Sequence, residues 1–489
     1  MIATIGSKSS SVDASNVQRA HGLKNTILMA TGSTAGQLVV IVAMPLITRL
    51  YNPKELGLYA IFTATVGLLA TVIALHYELA IPLPKSDFHA RLLVKLALVV
   101  SSSMVVLCLG IIIVFSTALS NIVGIEQFPS IGYLVPISLL ITGLVTVLTY
   151  RAIRSDFFQL AATGKALQGI VQATMQIGFG LSGTGASGLI YGTALGQCAS
   201  IFALARNGFW RELTCGWYAH KAKFVVLAQR YRNFPRVSTP SSFINAAVAQ
   251  LPLIVLAAWF DIRVIGLYAL GVRVLQVPAR FIGDSLSQVF FSMAAEAHRS
   301  GTLKEVASRT WRVQTTFALY SFLPLAVVSP ELFSVAFGHE WREGGVYTQL
   351  LLPWTMTSFI SASLSILVTV LQKQKQEFIF QIIYISVLPC SLWFGHAYES
   401  EYLAMASLGI GASTLLTGKI AWLLQIAGVN LAAQRRWLLK ELCYSIFPVA
   451  ILLFIKILHG PELFMVCAAT LTISISHLVN YRVRNAYEF

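Results

Sequence analysis

The sequence predicts an all-α polytopic membrane protein with about 14 transmembrane helices, and three observations predict it. Only 11% of the 489 residues are charged and 56% are hydrophobic, with a mean hydropathy of +0.72. A water-soluble chain of this length carries roughly 25% charged residues. The apolar residues gather into about fourteen stretches, each near the roughly 20 residues that a helix needs to cross hydrocarbon. Lys and Arg concentrate in every second gap between these stretches, the distribution that positive-inside insertion leaves behind.

In chain order the expected spans are 26–48, 57–81, 92–116, 131–150, 166–183, 186–205, 241–260, 264–293, 312–336, 346–371, 378–396, 401–427, 441–458 and 462–480. Placing the N-terminus in the cytoplasm puts Lys85 with Arg91, Arg151 with Arg154, the 230–236 and 299–309 clusters, Lys373 with Lys375, and the 435–440 cluster on the inside. Arg482 and Arg484 join them, so both termini are expected to be cytoplasmic. Outside remain chiefly Arg49, Lys54, Arg263 and Arg342, each with an acidic neighbour in the sequence. The gaps around Gly124 and Thr184 carry no basic residue. Trp259, Trp341, Trp354 and Trp393 fall mostly near expected outer ends, as interfacial aromatic belts do.

The net charge of +15 argues for anionic lipid headgroups rather than nucleic acid, because the positive residues lie in short loops between spans. Cys108, Cys198, Cys215, Cys390, Cys443 and Cys467 show neither CxxC nor Cys/His spacing, so neither zinc nor a disulfide framework is expected. Residues 1–25 are polar and Ser-rich, without the apolar core of a cleavable signal, and read as a cytoplasmic tail. Gly411 to Ile420 only imitates a phosphate loop, since its glycine spacing is too long and Ile420 stands where Ser or Thr is required. His339-Glu340 lacks the second His of a zincin motif, so no metal site is expected there.

The longest basic connection, 206–240, carries Arg211, Lys221, Lys223, Arg230, Arg232 and Arg236 and follows the sixth span. It divides the chain into a first six-helix bundle (26–205), the linker (206–240), a second six-helix bundle (241–427) and a final pair with its tail (428–489). An internal echo matches this division. Pro45-Leu46-Ile47 precedes Gly57-Leu58-Tyr59-Ala60, and Pro252-Leu253-Ile254 precedes Gly266-Leu267-Tyr268-Ala269. Both copies run in the same sense, which implies two halves related by a pseudo-twofold axis along the membrane normal.

Ionisable residues at bilayer depth are functional candidates by default. The eighth span holds Arg273, Arg280 and Asp284, with Arg273 and Arg280 two turns apart on one face and Asp284 one turn further. Gln276, Ser287 and Gln288 extend this polar stripe, and Pro278 is expected to kink the helix between the arginines. A guanidinium suits a diphosphate because its planar fork donates paired hydrogen bonds and never loses its charge. The competing structural reading is an Arg280–Asp284 pair that neutralises itself. Lys419 and Glu78 lie in the inner halves of the twelfth and second spans, as a candidate phosphate-binding cation and a candidate coupling carboxylate. Either is also close enough to the interface to snorkel. Arg151 and Arg154 at the inner end of span four are candidate substrate contacts, with topology-setting as the plainer alternative.

Several segments together are similar to bacterial polysaccharide-export proteins of the Wzx type. They are PLITRLYNPKELGLYAIFT from Pro45 to Thr63, HYELAIPLPKSDFHA from His76 to Ala90, YRNFP from Tyr231 on to QLP at Gln250, GLYALGVRVLQVP from Gly266 on to Gly283, and FGHEWREGGVY from Phe337 to Tyr347. The resemblance spans most of the first twelve helices in the family's order. It implies the multidrug/oligosaccharidyl-lipid/polysaccharide exporter superfamily, with a MATE-like pair of bundles around a central cavity. It further implies flipping of undecaprenyl-diphosphate-linked repeat units to the periplasmic leaflet of the bacterial inner membrane. The family usually reads Arg-Tyr-Glu where this chain has His76-Tyr77-Glu78, which makes any basic role at position 76 dependent on pH.

The expected function is therefore a lipid-linked oligosaccharide flippase rather than an enzyme. No nucleotide-binding domain is seen and no cofactor is expected, so the drive would be a proton or sodium gradient, the membrane potential, or consumption of product. Membrane lipids and the polyprenyl-linked glycan are the expected partners, with a polysaccharide polymerase and co-polymerase as candidates. Two alternatives are a multidrug/cation antiporter of the same superfamily and a membrane polymerase or ligase for lipid-linked glycans. The antiporter would want an acidic or aromatic cavity, whereas the intramembrane charges here are mainly Arg and Lys. The enzyme would want a large outer loop bearing an acid–base pair, and the outer loops are short.

Overall fold

The computed structural model describes residues 31–32, 34–123, 132–206, 209, 221–457, 462, 464 and 466–473, without the side chains of 115–123, 221–223, 278–289, 291 and 292. The tail 1–25, the gap at Gly124, Arg211, Cys215, Arg482 and Arg484 lie outside the described residues, as do the side chains of Lys221, Lys223, Pro278, Arg280, Asp284, Ser287 and Gln288.

No strand occurs among the described residues, and each expected span contains helix among them. In order these are α1 (Thr34–Leu50), α2 (Pro53–Ala70), α3 (Asp87–Val123), α4 (Leu134–Arg154), α5 (Phe158–Leu181), α6 (Ala186–Leu204), a linker helix α7 (Lys221–Arg230), α8 (Thr239–Trp259), α9 (Ile262–Ser300) and α10 (Leu303–Phe337). After them come α11 (Arg342–Leu364) with its short continuation α12 (Ile366–Val370), α13 (Gln374–Ala397), α14 (Glu401–Ile426), α15 (Leu431–Ile457) and α16 (466–473). Nine of the described helical segments are long and apolar enough to cross a membrane. This is a polytopic, all-α membrane fold.

Local chemistry sets several of the boundaries. Asn52 and Glu55 form a reciprocal cap at the start of α2: the Glu55 amide donates to Asn52 Oδ1 at 3.0 Å, and the Asn52 amide to Glu55 Oε2 at 2.9 Å. Asp261 caps α9 by accepting from the Arg263 amide at 2.8 Å, and Gly301, at φ +79°, ends that helix in the left-handed conformation that only glycine adopts without strain. The helix α9 runs through Pro278 without a break in its assignment.

The second span departs from expectation. It is α-helical only to Ala70, about 27 Å at 1.5 Å per residue. Residues 71–76 then form turns and Tyr77–Ala80 a 3₁₀ turn, held by i→i+3 bonds such as Val72 N to Leu69 O and Tyr77 N to Ala74 O. The physical reason is a left-handed backbone at Leu75 (φ 49°) and His76 (φ 58°), each costing roughly 1–2 kcal/mol and incompatible with a continuing right-handed helix. Burial of Tyr77, Ala80 and Ile81 against Leu92, Leu93, Val147 and Leu148 holds the strained segment in place.

The chain forms two compact units. Unit 1 comprises Met1–Tyr51 and Ile61–Gln250, and unit 2 comprises Asn52–Ala60 and Leu251–Phe489. The division thus falls inside α8, the linker segment 206–240 belongs to unit 1, and the final helix pair belongs to unit 2.

Within unit 1, α5 and α6 pack through Gly188, Gly192 and Gly196, spaced four apart on one face of α6. A Cβ on Gly192 would lie 2.5 Å from Gln176 Cγ, and one on Gly196 would lie 2.7 Å from Gln168 O. Such close backbone approach is the usual membrane alternative to hydrophobic association. Buried Gln176 uses it to donate to Leu189 O at 3.1 Å and Thr193 Oγ1 at 3.2 Å, while Tyr51 Oη donates to Gln176 O at 2.8 Å.

Within unit 2, the two copies of the Gly-Leu-Tyr-Ala echo meet. A Cβ on Gly57 would fall 2.1 Å from Ile262 O and 3.0 Å from Gly266 N, and one on Gly266 would fall 1.8 Å from Pro53 O and 2.9 Å from Gly57 N. The final pair is fastened by polar contacts: Arg312 to Gln434 (2.9 Å), Thr316 to Glu441 (3.1 Å), Lys456 to buried Glu331 (3.1 Å), and Arg342 bridging Glu331 (3.5 Å) and Glu462 (2.5 Å).

Replacing Gly266 by Leu drives a side chain into backbone that cannot retreat. We expect a loss at or beyond the upper end of the roughly 1–3 kcal/mol typical of overpacking, seen as a large drop in the thermal midpoint of the purified protein. Gly178→Ala, where nothing lies within 4 Å of the new Cβ, serves as the unaffected control.

Candidate functional site

The expected site residues fall into four places, two in each unit. In unit 2, Arg273 lies eleven residues into α9, about 16 Å along its axis, and is exposed. Its guanidinium carbon is 6.0 Å from the centre of the Tyr59 ring, which orients the planar cation by its π face. Tyr59 belongs to one copy of the Gly-Leu-Tyr-Ala echo and Arg273 follows the other, so the glycine crossing sets the position of both. Arg280 and Asp284 continue the same helix backbone.

Lys419, on α14, lies 2.5 Å from Glu377 on α13, with both side chains about 85% buried (14% and 16% exposed). Its charge is thereby matched, and the second carboxylate oxygen, Glu377 Oε2, is buried without a partner among the described residues. The sequence reading missed Glu377, because 42 residues separate the partners and no helical spacing connects them.

In unit 1, His76 Nδ1 donates to Glu78 Oε1 at 2.8 Å, and both side chains are nearly enclosed (14% and 8% exposed). His76 Nε2 and Glu78 Oε2 are buried without hydrogen-bond partners among the described residues. This pair lies on the strained segment after α2. The non-helical backbone that carries it is enclosed by protein, with Tyr77, Glu78 and Ala80 buried.

The fourth place is a cavity of about 300 Å³ between the start of α3 and the end of α4. Arg151 is 6% exposed and its guanidinium lies 5.7 Å from the Phe209 ring centre. Arg154 donates to Asp87 Oδ1 at 3.1 Å and to Lys85 O at 3.4 Å. Arg91, read from sequence only as a topology-setting charge, lines the same cavity. No group of three or more His, Cys, Asp or Glu suited to a metal ion occurs among the described residues.

A family profile described as "Polysaccharide biosynthesis protein" matches residues 46–344, more than half of the chain. No curated protein matches the chain in sequence. Among solved structures, the chain is similar to the lipid II flippase MurJ in an inward closed conformation, with a TM-score of 0.68 at 14% identity over 93% of this chain and 99% of that one. It is also similar to an inward-facing multidrug resistance MATE family transporter of the MOP superfamily, with a TM-score of 0.60 at 11% identity over 83% of this chain and 98% of the other. At these identities the likeness establishes the fold.

The Lys419–Glu377 pair has a direct test. Lys419→Ala leaves a buried carboxylate unmatched and is expected to cost about 3–5 kcal/mol. The double variant Lys419→Met/Glu377→Leu is expected to recover most of that loss, as a double-mutant cycle on thermal midpoints will read.

Proposed function

The chain belongs to the polysaccharide biosynthesis protein family, and on that premise we propose that it flips lipid-linked oligosaccharide repeat units from the cytoplasmic to the outer leaflet of the bacterial inner membrane. One observation carries the reading: an exposed guanidinium, Arg273, eleven residues into α9. A diphosphate enters a low-dielectric space only if cations replace its hydration. Arginine supplies a charge that does not titrate away and a donor fork matched to phosphate oxygens.

In this mechanism the polyprenyl diphosphate is drawn from the inner leaflet past Arg280, two turns nearer the cytoplasmic end of the helix, onto Arg273. Alternation between inward- and outward-open states carries the glycan through a hydrated path while the prenyl chain stays in lipid. Both likenesses are to transport proteins, which supports a transporter rather than an enzyme. The buried, strained His76–Glu78 pair is our candidate for coupling to a proton or sodium gradient, because an exchangeable charge there is shielded from bulk water. Lys419, matched by Glu377, receives no substrate role here.

Arg273→Ala is expected to abolish polymer export while protein remains at wild-type level in the membrane, with lipid-linked repeat units accumulating in the inner leaflet. Normal polymer yield in this variant would sink the cationic-path mechanism. His76→Arg restores the residue usual in similar sequences and fixes the charge. Transport in vesicles is then expected to lose its dependence on an imposed proton gradient.

A further inference from the structure

The cavity between α3 and α4 is built for more than setting topology. Three guanidinium groups, Arg91, Arg151 and Arg154, line a space of about 300 Å³ together with two carboxylates, Asp87 and Asp156. The balance leaves one positive charge, and its distribution matters more than its sum. Arg151 is buried, whereas the Asp87 side chain is 82% exposed and attenuated by water. Arg154 spends its terminal nitrogen on Asp87 and Lys85 O, but its Nε is buried with no acceptor among the described residues. A buried donor on a charged group without an acceptor is costly, so the Arg154 side chain gains from any rearrangement that brings an anion oxygen to it.

The backbone adds to this. Residues 87, 90 and 91 lie in the first turns of α3, a helix of 37 residues whose N-terminal dipole favours negative charge at this end. One wall is apolar, formed by Ile81, Ala90 and Val94, so the cavity joins a basic rim to an oily flank. Free phosphate has no use for that flank. A phosphate ester of a lipid uses both, and 300 Å³ accommodates a headgroup but not an oligosaccharide.

We propose that Arg91, Arg151 and Arg154 form a docking pocket for a lipid phosphate at the inner-leaflet end of α3 and α4, separate from Arg273. Its placement in the inner leaflet rests on the orientation adopted for the flippase reading. Two sources offer this chemistry: the diphosphate of the polyprenyl carrier awaiting transport, and the phosphodiester of an anionic bilayer lipid. Asp87 acts as a stand-in anion that holds Arg154 until the lipid arrives.

The test uses the full-length protein in phosphatidylcholine bilayers, with a photoreactive benzoylphenylalanine placed at Ser155 on the cavity wall. Cross-linking to a radiolabelled polyprenyl diphosphate or to radiolabelled phosphatidylglycerol is measured, each with unlabelled lipid of both kinds as competitor. We expect saturable cross-linking that falls about tenfold in Arg154→Gln and in Arg91→Gln, the scale of one lost charge-assisted hydrogen bond, and that persists in Arg273→Gln. Asp87→Asn, by removing the competing anion, is expected to raise the yield severalfold, a gain that misfolding does not produce. Preferential competition by the polyprenyl diphosphate identifies the carrier as occupant, and preferential competition by phosphatidylglycerol identifies a bilayer lipid. Cross-linking that is insensitive to both arginine substitutions, or that neither lipid competes away, overturns the pocket. Loss of export in Arg273→Ala with unchanged cross-linking at Ser155 separates this inference from the flippase reading.

Discussion

An ion in hydrocarbon must find its counter-charge or lie beside water, and this single demand orders the polar interior of the protein. Lys419 meets Glu377, Lys456 meets Glu331, Arg342 bridges Glu331 and Glu462, and His76 meets Glu78. In each case the partner comes from a different helix or from a turn that abandons helical geometry to make the contact. Arg273 is exposed, with its guanidinium beside the Tyr59 ring.

Helix packing obeys a second demand. Lipid tails are as apolar as leucine, so helices gain little by burying apolar surface against one another. They gain by bringing backbones together, which small residues permit. Gly192 and Gly196 let α6 lie against α5, Gly409 admits the Leu350 carbonyl of α11, and Gly57 meets Gly266. The last contact ties packing to the candidate site, because Tyr59 and Arg273 lie about half a turn and two turns beyond it on their helices.

The spans were legible because hydropathy reports transfer into lipid directly, and all fourteen stretches carry helix among the described residues. The echo was legible because its glycines and tyrosines have packing roles that tolerate little substitution. The break after Ala70 was not: hydropathy is blind to φ, and residues 71–81 are as apolar as a continuing helix would be. Pairing across distant helices was equally hidden, since nothing in local spacing joins Lys419 to Glu377. Arg91 was passed over for a different reason. A basic residue at the end of a span satisfies the topology rule completely, so its membership of a three-arginine cavity emerges only when α4 is brought alongside α3.

The fastening of the last helices carries a consequence for synthesis. Glu331 is 6% exposed and shared between Arg342, eleven residues later, and Lys456, a further 114 residues along the chain. During translation that carboxylate has its near neighbour almost at once and its far one only as the ribosome finishes. A chain cut short before α15 therefore leaves that carboxylate in unit 2 without its Lys456 contact.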